Sequence, residues 1–390
     1  MASSPPMPMR YKSGLAFLLL IAFFFFGAAP LLDALANRQT GEPLPAPTAG
    51  AEWHRNLWVA DLHADSLLWN RALTERHSRG LVDIPRLIEG GVALQAFTVV
   101  SQVPFGMNIS SNSGDTDMLT LLVVAQRWPT RTWSSLLERA LYQAERLHES
   151  ARSSGGSFRV ITSRAGLAQY DRDRAQHPGQ SAGYLGIEGA QVLEGKFENL
   201  QRLFDAGFRM LSPAHFFDTE VGGSAHGEDK IGLTALGRRV IREMERLGML
   251  VDLAHASEQT ISDVLDIATK PVVFSHTGVV GTCDNQRNLS DAQLVRTAAK
   301  GGLIGIGFFE TATCGRDLGA VVRALRYAVD RVGAGHVALG SDFDGFVRTP
   351  IDAAGMPLLT DAMLAAGFSE TQISLIMGLN VQHLLQTTLR

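Results

Sequence analysis

From residue 53 onward, short apolar runs alternate with longer stretches whose apolar positions recur at helical spacing. The runs at 57–62, 92–99, 184–188 and 207–212 read as strands, as do those at 249–254, 271–275, 303–308 and 337–341. Helical patterns at 196–206, 233–247, 257–268, 290–300 and 317–332 separate most of them. Thr234, Ser257, Ser290 and Asp317 stand where N-caps belong, because their side-chain oxygens satisfy free amides of a first helical turn. Gly248, Gly301 and Gly333 follow helices, where a left-handed residue ends the last turn without strain. Eight strands mostly divided by helices predict an α/β fold, a TIM-like (β/α)8 barrel. A doubly wound sheet is the alternative, but no Gly-rich phosphate loop follows the first strand. Residues 100–183 exceed the simple count. Their polar loop "GMNISSNSGDTD" and long helical region at 116–151 read as an elaboration between early strands, not a second domain.

The pattern breaks at the N-terminus. Residues 14–32 carry no charge and follow Arg10 and Lys12. An apolar run of about 19–20 residues suffices to cross the roughly 30 Å hydrocarbon layer, and basic residues ahead of it keep the N-terminus cytoplasmic. The chain thus divides into a cytoplasmic N-terminus (1–12), a transmembrane anchor or signal segment (13–33), a linker (34–52) and a main domain (53–390). A cleaved signal peptide competes with the anchor, since Ala34 to Ala36 resembles a small-residue cleavage site. Both place the main domain outside the cytoplasm. Residues 37–52, rich in Pro, Ala and polar residues, read as a semi-extended tether.

With 390 residues, 45% of them hydrophobic, the chain has ample material for a large core. A net charge of −4 without a basic block argues against nucleic acid as a partner. What changes the picture is where the ionisable residues fall. His63 and Asp65 end the first strand, Glu188 ends "YLGIE", and His215 follows "RMLSPA". His255 ends "MLVDLA", His276 ends "PVVFS", and Asp342 ends "VALGS". A lone histidine or acid at a strand end is usually structural. Six strands ending this way, at the end where a barrel carries its active site, point to one functional cluster.

The mixture of imidazoles and carboxylates suits a borderline ion such as Zn2+. His63 and Asp65, two residues apart, project to one side of an extended chain and so grip one ion together. Glu188 has two oxygens and is able to bridge two ions, and two further imidazoles complete a second site. Paired ions hold a hydroxide and polarise a carbonyl, the parts of a hydrolase acting on an amide or ester. His54, His77, His148, His177, His336 and His383 read as ordinary, and His226, in "GGSAHGE", as a loop residue near the active face. Cys283 and Cys314 are either a disulfide, which an oxidising compartment permits, or two unpaired core thiols.

The motifs "DLHADSLLW", "VDIPRLIEGGVALQAF", "GIEGA", "RMLSPAH", "LGMLVDLAHAS", "PVVFSHT", "QRNLSD" and "GSDFDG" together resemble the membrane (renal or microsomal) dipeptidases over roughly residues 56–388. The resemblance implies a di-zinc barrel enzyme that hydrolyses free dipeptides through a metal-bridging hydroxide, including those with a C-terminal D-residue. It implies His63, Asp65, Glu188, His255 and His276 as ligands of two Zn2+. It implies His215 as substrate histidine, Arg287 as anchor for the substrate carboxylate, and Asp342 as the group that meets the amino end and passes a proton to the leaving nitrogen. It also implies a Cys283–Cys314 disulfide and a homodimer. A bacterial inner-membrane protein with a periplasmic catalytic domain is the expected setting. The chain departs from the family pattern after Glu188, with Gly189, Ala190 and Gln191 in place of Gly-Gly-His, and in "FFDTEVGG" after His215. Another metal hydrolase, acting on an N-acyl amino acid, lactone or phosphoester, and an inactive membrane-anchored binding protein are the alternatives.

Overall fold

The computed structural model describes residues 9–41 and 49–390. The first eight residues of the expected cytoplasmic segment, and 42–48 of the expected tether, lie outside the described residues. Eight strands occupy the expected places: β1 (Val59–Ala64), β2 (Val92–Val100), β3 (Ser181–Glu188), β4 (Met210–Leu211), β5 (Leu250–Val251), β6 (Val273–Thr277), β7 (Leu303–Ile306) and β8 (Val337–Leu339). All pair in parallel. The main sheet runs β3-β2-β1-β8-β7-β6, with a short edge strand, Phe158–Val160, added beside β3. β4 and β5 form a separate pair. Isolated parallel bridges join Leu185 to Phe208 and Asp252 to Val273, linking β3 toward β4 and β5 toward β6.

The predicted helices between strands form as Asn199–Asp205, Ala235–Leu247, Glu258–Ile267, Asp291–Ala299 and Leu318–Val332. Thr234, Ser257, Ser290 and Asp317 each accept a bond from the backbone amide three residues on, and Ser290 with Gln293 completes a capping box. The long helical region expected at 116–151 is instead two helices, Leu119–Ala125 and Leu136–Ser153. Pro129 and the turn at Thr130–Thr132 break the pattern between them, since proline has no amide to continue a helix.

One apolar cluster joins alternate strand residues Ala60, Leu62, Leu94, Ala96 and Tyr184 to Val381, Leu384 and Leu385 of the C-terminal helix Asn380–Thr388. The segment before that helix seals the N-terminal end of β1. A Cβ on Gly378 would sit 1.9 Å from the Trp58 carbonyl oxygen, so only glycine fits. The opposite ends of the strands, where the ionisable residues lie, stay open.

The N-terminal region departs from the expected tether. Residues Ser13–Ala36 form one helix of 24 residues whose most apolar 18 residues have mean hydropathy 2.6, long and apolar enough to cross a membrane. Its last turns are docked rather than free. Asp33 is buried, with Oδ2 at 3.0 Å from Arg71 Nε and 3.1 Å from Arg79 Nε. Asn37 accepts from the Phe346 amide, and Arg38–Gln39 pairs in parallel with Arg348–Thr349. Sequence composition alone suggested an extended linker here because these polar residues have partners far along the chain.

Candidate active site

His63 and Asp65 leave the end of β1 on one side of the chain, as their spacing requires. His63 Nε2 lies 3.5 Å from Asp65 Oδ1, 3.6 Å from Glu188 Oε1 and 3.8 Å from Asp342 Oδ1. Glu188, the last residue of β3, is the hub. Its Oε1 lies 3.2 Å from His255 Nε2 and 3.4 Å from His276 Nε2, and its Oε2 lies 3.2 Å from His215 Nε2. The Nε2 atoms of His255 and His276 are 2.9 Å apart. Arg287 Nη2 donates to the His276 carbonyl at 2.5 Å and stands 3.4 Å from His255 Nε2. All eight sequence-predicted residues therefore meet, and each is buried or nearly so. All but His63 border a cavity of about 300 Å³ that also takes in Phe216, His226 and Phe309.

The backbone is bent to present these groups. His255 and Asp342 adopt left-handed φ values of 65° and 63°, uncommon for residues other than glycine and tolerated where surrounding structure fixes them. Asp65 is held from both sides: its Oδ1 accepts from Thr98 Oγ1 at 2.6 Å, and its amide donates to the Phe343 carbonyl. Gln191 reaches back to the Glu188 carbonyl at 3.1 Å. Cys283 and Cys314 form a disulfide with Cα atoms 5.2 Å apart, as the resemblance implies. The bond ties the loop that carries Arg287 to the short helix Glu310–Thr313.

Burial and crowding set the charges. Burial alone would disfavour a charge on His63, yet Glu188, Asp65 and Asp342 around it push its pKa up to about 10. Burial drives Glu188 well above the usual carboxylate range and lifts Asp342 to about 8, in both cases against the pull of His63. Burial holds His215, His255 and His276 well below the ordinary imidazole value, so they are neutral and fit to act as donors to a cation. Ligand atoms in three groups, His63–Glu188–His276, Glu188–His215–His255 and His63–Asp65–Asp342, lie within 4.8 Å of one another. His63 Nε2 and Glu188 Oε1 are buried without a hydrogen-bond partner among the described residues. Buried polar atoms left this way are unfavourable unless another group engages them. A nitrogen–oxygen donor set of this kind suits divalent metal.

Sequence reasoning missed the groups behind the clustered imidazoles. Ser275 Oγ donates to Asp252 Oδ2 at 2.6 Å and stands 2.9 Å from His276 Nδ1 and 3.3 Å from His63 Nδ1. This arrangement turns both Nε2 atoms toward Glu188. Asp252, an acid inside the apolar run "MLVDLA", was the available signal. Phe216 was also missed; its ring stacks on His215 with centroids 3.7 Å apart. His226 does reach the cavity, its Nδ1 2.7 Å from the Ile109 carbonyl. His54 is structural but not peripheral: buried, it contacts Thr360 Oγ1 at 2.7 Å and the Gly90 carbonyl at 2.9 Å.

A parallel α/β sheet with imidazoles and carboxylates gathered at its strand ends defines a metal-dependent hydrolase. Residues 51–389 match the family of membrane dipeptidases, peptidase family M19, and the chain belongs to that family. It is similar to the dipeptidase tcpJ of Claviceps purpurea, 31% identical over 318 residues that cover 79% of this chain and 69% of that protein. Among solved structures, it resembles a metallopeptidase from Rhodobacter sphaeroides bound to a phosphinate mimic of L-Ala-D-Ala. The identity there is 27%, the TM-score 0.70, and the match covers 85% of this chain and 99% of the other. The dipeptidase AC, a metallopeptidase of the same family, matches with 27% identity, a TM-score of 0.68 and the same coverage. The chain is accordingly a metallo-dipeptidase, a hydrolase of peptide bonds.

Proposed function

We propose that residues 53–390 form a (β/α)8 barrel holding two Zn2+ ions, anchored on the extracytoplasmic side of a bacterial inner membrane by the uncleaved helix Ser13–Ala36. The parallel bridges that link the two sheets support a closed ring of eight strands. The burial of Asp33 between two arginines supports retention of the helix, because cleavage after Ala36 would strip the buried Arg71 of a partner. The observation that carries the reading is the convergence of four imidazoles, each from a different strand end, on one carboxylate, Glu188, with imidazole nitrogens on both of its oxygens.

His63 and Asp65 would hold one ion, His255 and His276 the other, and Glu188 would bridge them. When bound, such a pair supplies a nucleophile at neutral pH and polarises the scissile carbonyl. The residues of the chain do the rest. Arg287, with its fork of donors, anchors the free carboxylate of a dipeptide. His215, fixed by Phe216, donates to the carbonyl oxygen as negative charge develops there. Asp342 meets the free amino end and carries a proton to the leaving nitrogen. Anchors at both charged ends select dipeptides, since a longer peptide cannot satisfy both. The neighbour's L-Ala-D-Ala mimic supports a C-terminal D-residue among the substrates.

The test is metal content with turnover on the purified full chain. Two zinc per chain, with cleavage of Gly-D-Ala, L-Ala-D-Ala and L-Ala-L-Ala but not of an N-acetylated dipeptide, is the expected result. Cleavage of the acetylated compound would remove the role given to Asp342. Glu188→Gln should abolish binding of both ions; normal activity with two zinc retained would overturn the ligand assignment.

A further inference from the structure

We infer that the rim of the active-site cavity is seated in the extracytoplasmic lipid leaflet, so that the partner of this face is the bilayer itself. The inference rests on the anchor reading above and goes beyond it. An anchor fixes only that the domain is near a membrane, whereas the docking of the helix fixes which face meets it.

The helix Ser13–Ala36 is free along its first part and packed along its last. Leu15, Phe17, Leu18, Leu19 and Leu20 are at least half exposed. From Phe24 onward the helix lies against Leu119–Ala125, with the Arg127 guanidinium 4.4 Å over the Phe26 ring and Ala29 and Asp33 buried. Leu32 packs with Leu68, Trp69 and Leu119 and lines the same cavity as Glu188 and His255.

Helix length then decides the depth. The free part, Ser13 to Phe23, advances about 16 Å at about 1.5 Å per residue. That is roughly half of the 30 Å hydrocarbon layer. Arg10 and Lys12 bound the run on its other side. To span, the helix must also place most of the stretch Phe24 to Leu32 within or just above the layer, and the domain surface packed on that stretch goes with it. The remaining depth of about 14 Å matches the length of Phe24 to Leu32 and reaches somewhat below the roughly 5–10 Å at which interfacial apolar faces sit, so the packed surface enters the leaflet with the helix.

That surface has the matching chemistry. Met107, Ile109, Met118 and Phe346 line the cavity beside Leu32 and are 37–54% exposed, and Leu121, on the helix that packs against Phe24–Ala28, is 54% exposed. Apolar side chains gathered around a polar site mark an interaction surface, and their continuity with an apolar helix names lipid as the occupant.

The experiment uses the full chain in vesicles of phosphatidylethanolamine and phosphatidylglycerol. Both native cysteines are in the disulfide, so Leu121→Cys and, as a control on another exposed helix, Val295→Cys each add one free thiol for a nitroxide label. The expected result is that the Leu121 label collides several-fold less with a water-soluble nickel chelate, and more with oxygen, than the Val295 label. Equal collision rates in carbonate-resistant, membrane-bound protein would overturn the inference and leave the anchor standing. Protection of the Leu121 label from both reagents would mean contact with a second protein copy and would also overturn it. Extraction by carbonate, or an intact mass lacking residues 1–36, would overturn the anchor reading and this inference together.

Discussion

Replacing Ser275 by alanine removes no ligand, yet it should strip metal from the site. Ser275 Oγ has one hydrogen, committed to Asp252 Oδ2 at 2.6 Å. His276 Nδ1 at 2.9 Å and His63 Nδ1 at 3.3 Å must therefore donate to it, so that each Nε2, facing Glu188 at 3.4 and 3.6 Å, is the nitrogen that offers a lone pair to an ion, for His63 once the ion displaces its second proton. Alanine takes the acceptor from two buried N–H groups and a donor from a buried carboxylate. Each such group left unpaired costs about 1–3 kcal/mol. The imidazoles escape part of that by moving the proton to Nε2, and that move removes the lone pair an ion requires. Loss of an outer partner of this kind lowers metal affinity about 10–100-fold, or about 1.4–2.7 kcal/mol. The assay is zinc affinity by chelator competition on the full chain, with metal per chain by mass spectrometry. Ser181→Ala is the control, since Ser181 is a buried serine whose hydroxyl has no hydrogen-bond partner among the described residues. Zinc bound as tightly by Ser275→Ala as by the unaltered chain would refute the reasoning. Equal loss in both variants would mean that core packing, not imidazole orientation, was disturbed.

Arg287→Lys keeps the charge but loses the fork of donors, so KM for L-Ala-D-Ala should rise roughly tenfold, about 1.4 kcal/mol, with a smaller change in kcat; a change confined to kcat would contradict its anchoring role. The Cys283–Cys314 bond closes a loop with a separation of 31 residues, worth about 3.7 kcal/mol in the chain-entropy picture. The double serine variant should therefore show a markedly lower denaturation midpoint, and an unchanged midpoint would contradict the estimate. Burial holds the His54 pKa below its ordinary 6.5, so the folded chain keeps this residue neutral where the unfolded chain protonates it. Its contribution to stability is full above pH 6.5 and is lost as the pH falls below that value. The melting temperature of His54→Gln should consequently fall less steeply between about pH 7 and 5.5 than that of the unaltered chain.

The strands and the first layer of the site were legible because each carries a local signal. Apolar runs bounded by turn residues give the strands, and an imidazole or acid at the end of such a run stands out against its neighbours. His63, Glu188, His255 and His276 needed nothing more. The short extent of β4 and β5 was not legible, because the runs at 207–212 and 249–254 are apolar for burial and not only for pairing. Ser275 was illegible for another reason. A serine in an apolar run has no distinguishing chemistry until Asp252, His63 and His276 are known to surround it. The docked residues Asn37 to Thr40 were read as tether, and Asp33 only as the end of the anchor, because their partners, Phe346 and Thr349 for the first and Arg71 and Arg79 for the second, lie far along the chain.

That misreading has a physical consequence. Arg71 is buried between two carboxylates, with Nε 3.0 Å from Asp33 and Nη2 2.7 Å from Asp344. Asp344 also accepts from Ser66 Oγ and the Leu81 amide, and its carbonyl accepts from Trp69 Nε1. It stands two residues after Asp342 in a stretch where both adopt left-handed φ values of 63°. Such a backbone persists only where its surroundings determine it. One of those surroundings is a guanidinium that depends on a carboxylate from the N-terminal helix. Removing one member of a buried ion cluster strands the charge of the others, which is far worse than never burying the cluster. The helix is thus a structural part of the loop that carries Asp342. A chain that lost it would lose a support of the loop that carries Asp342.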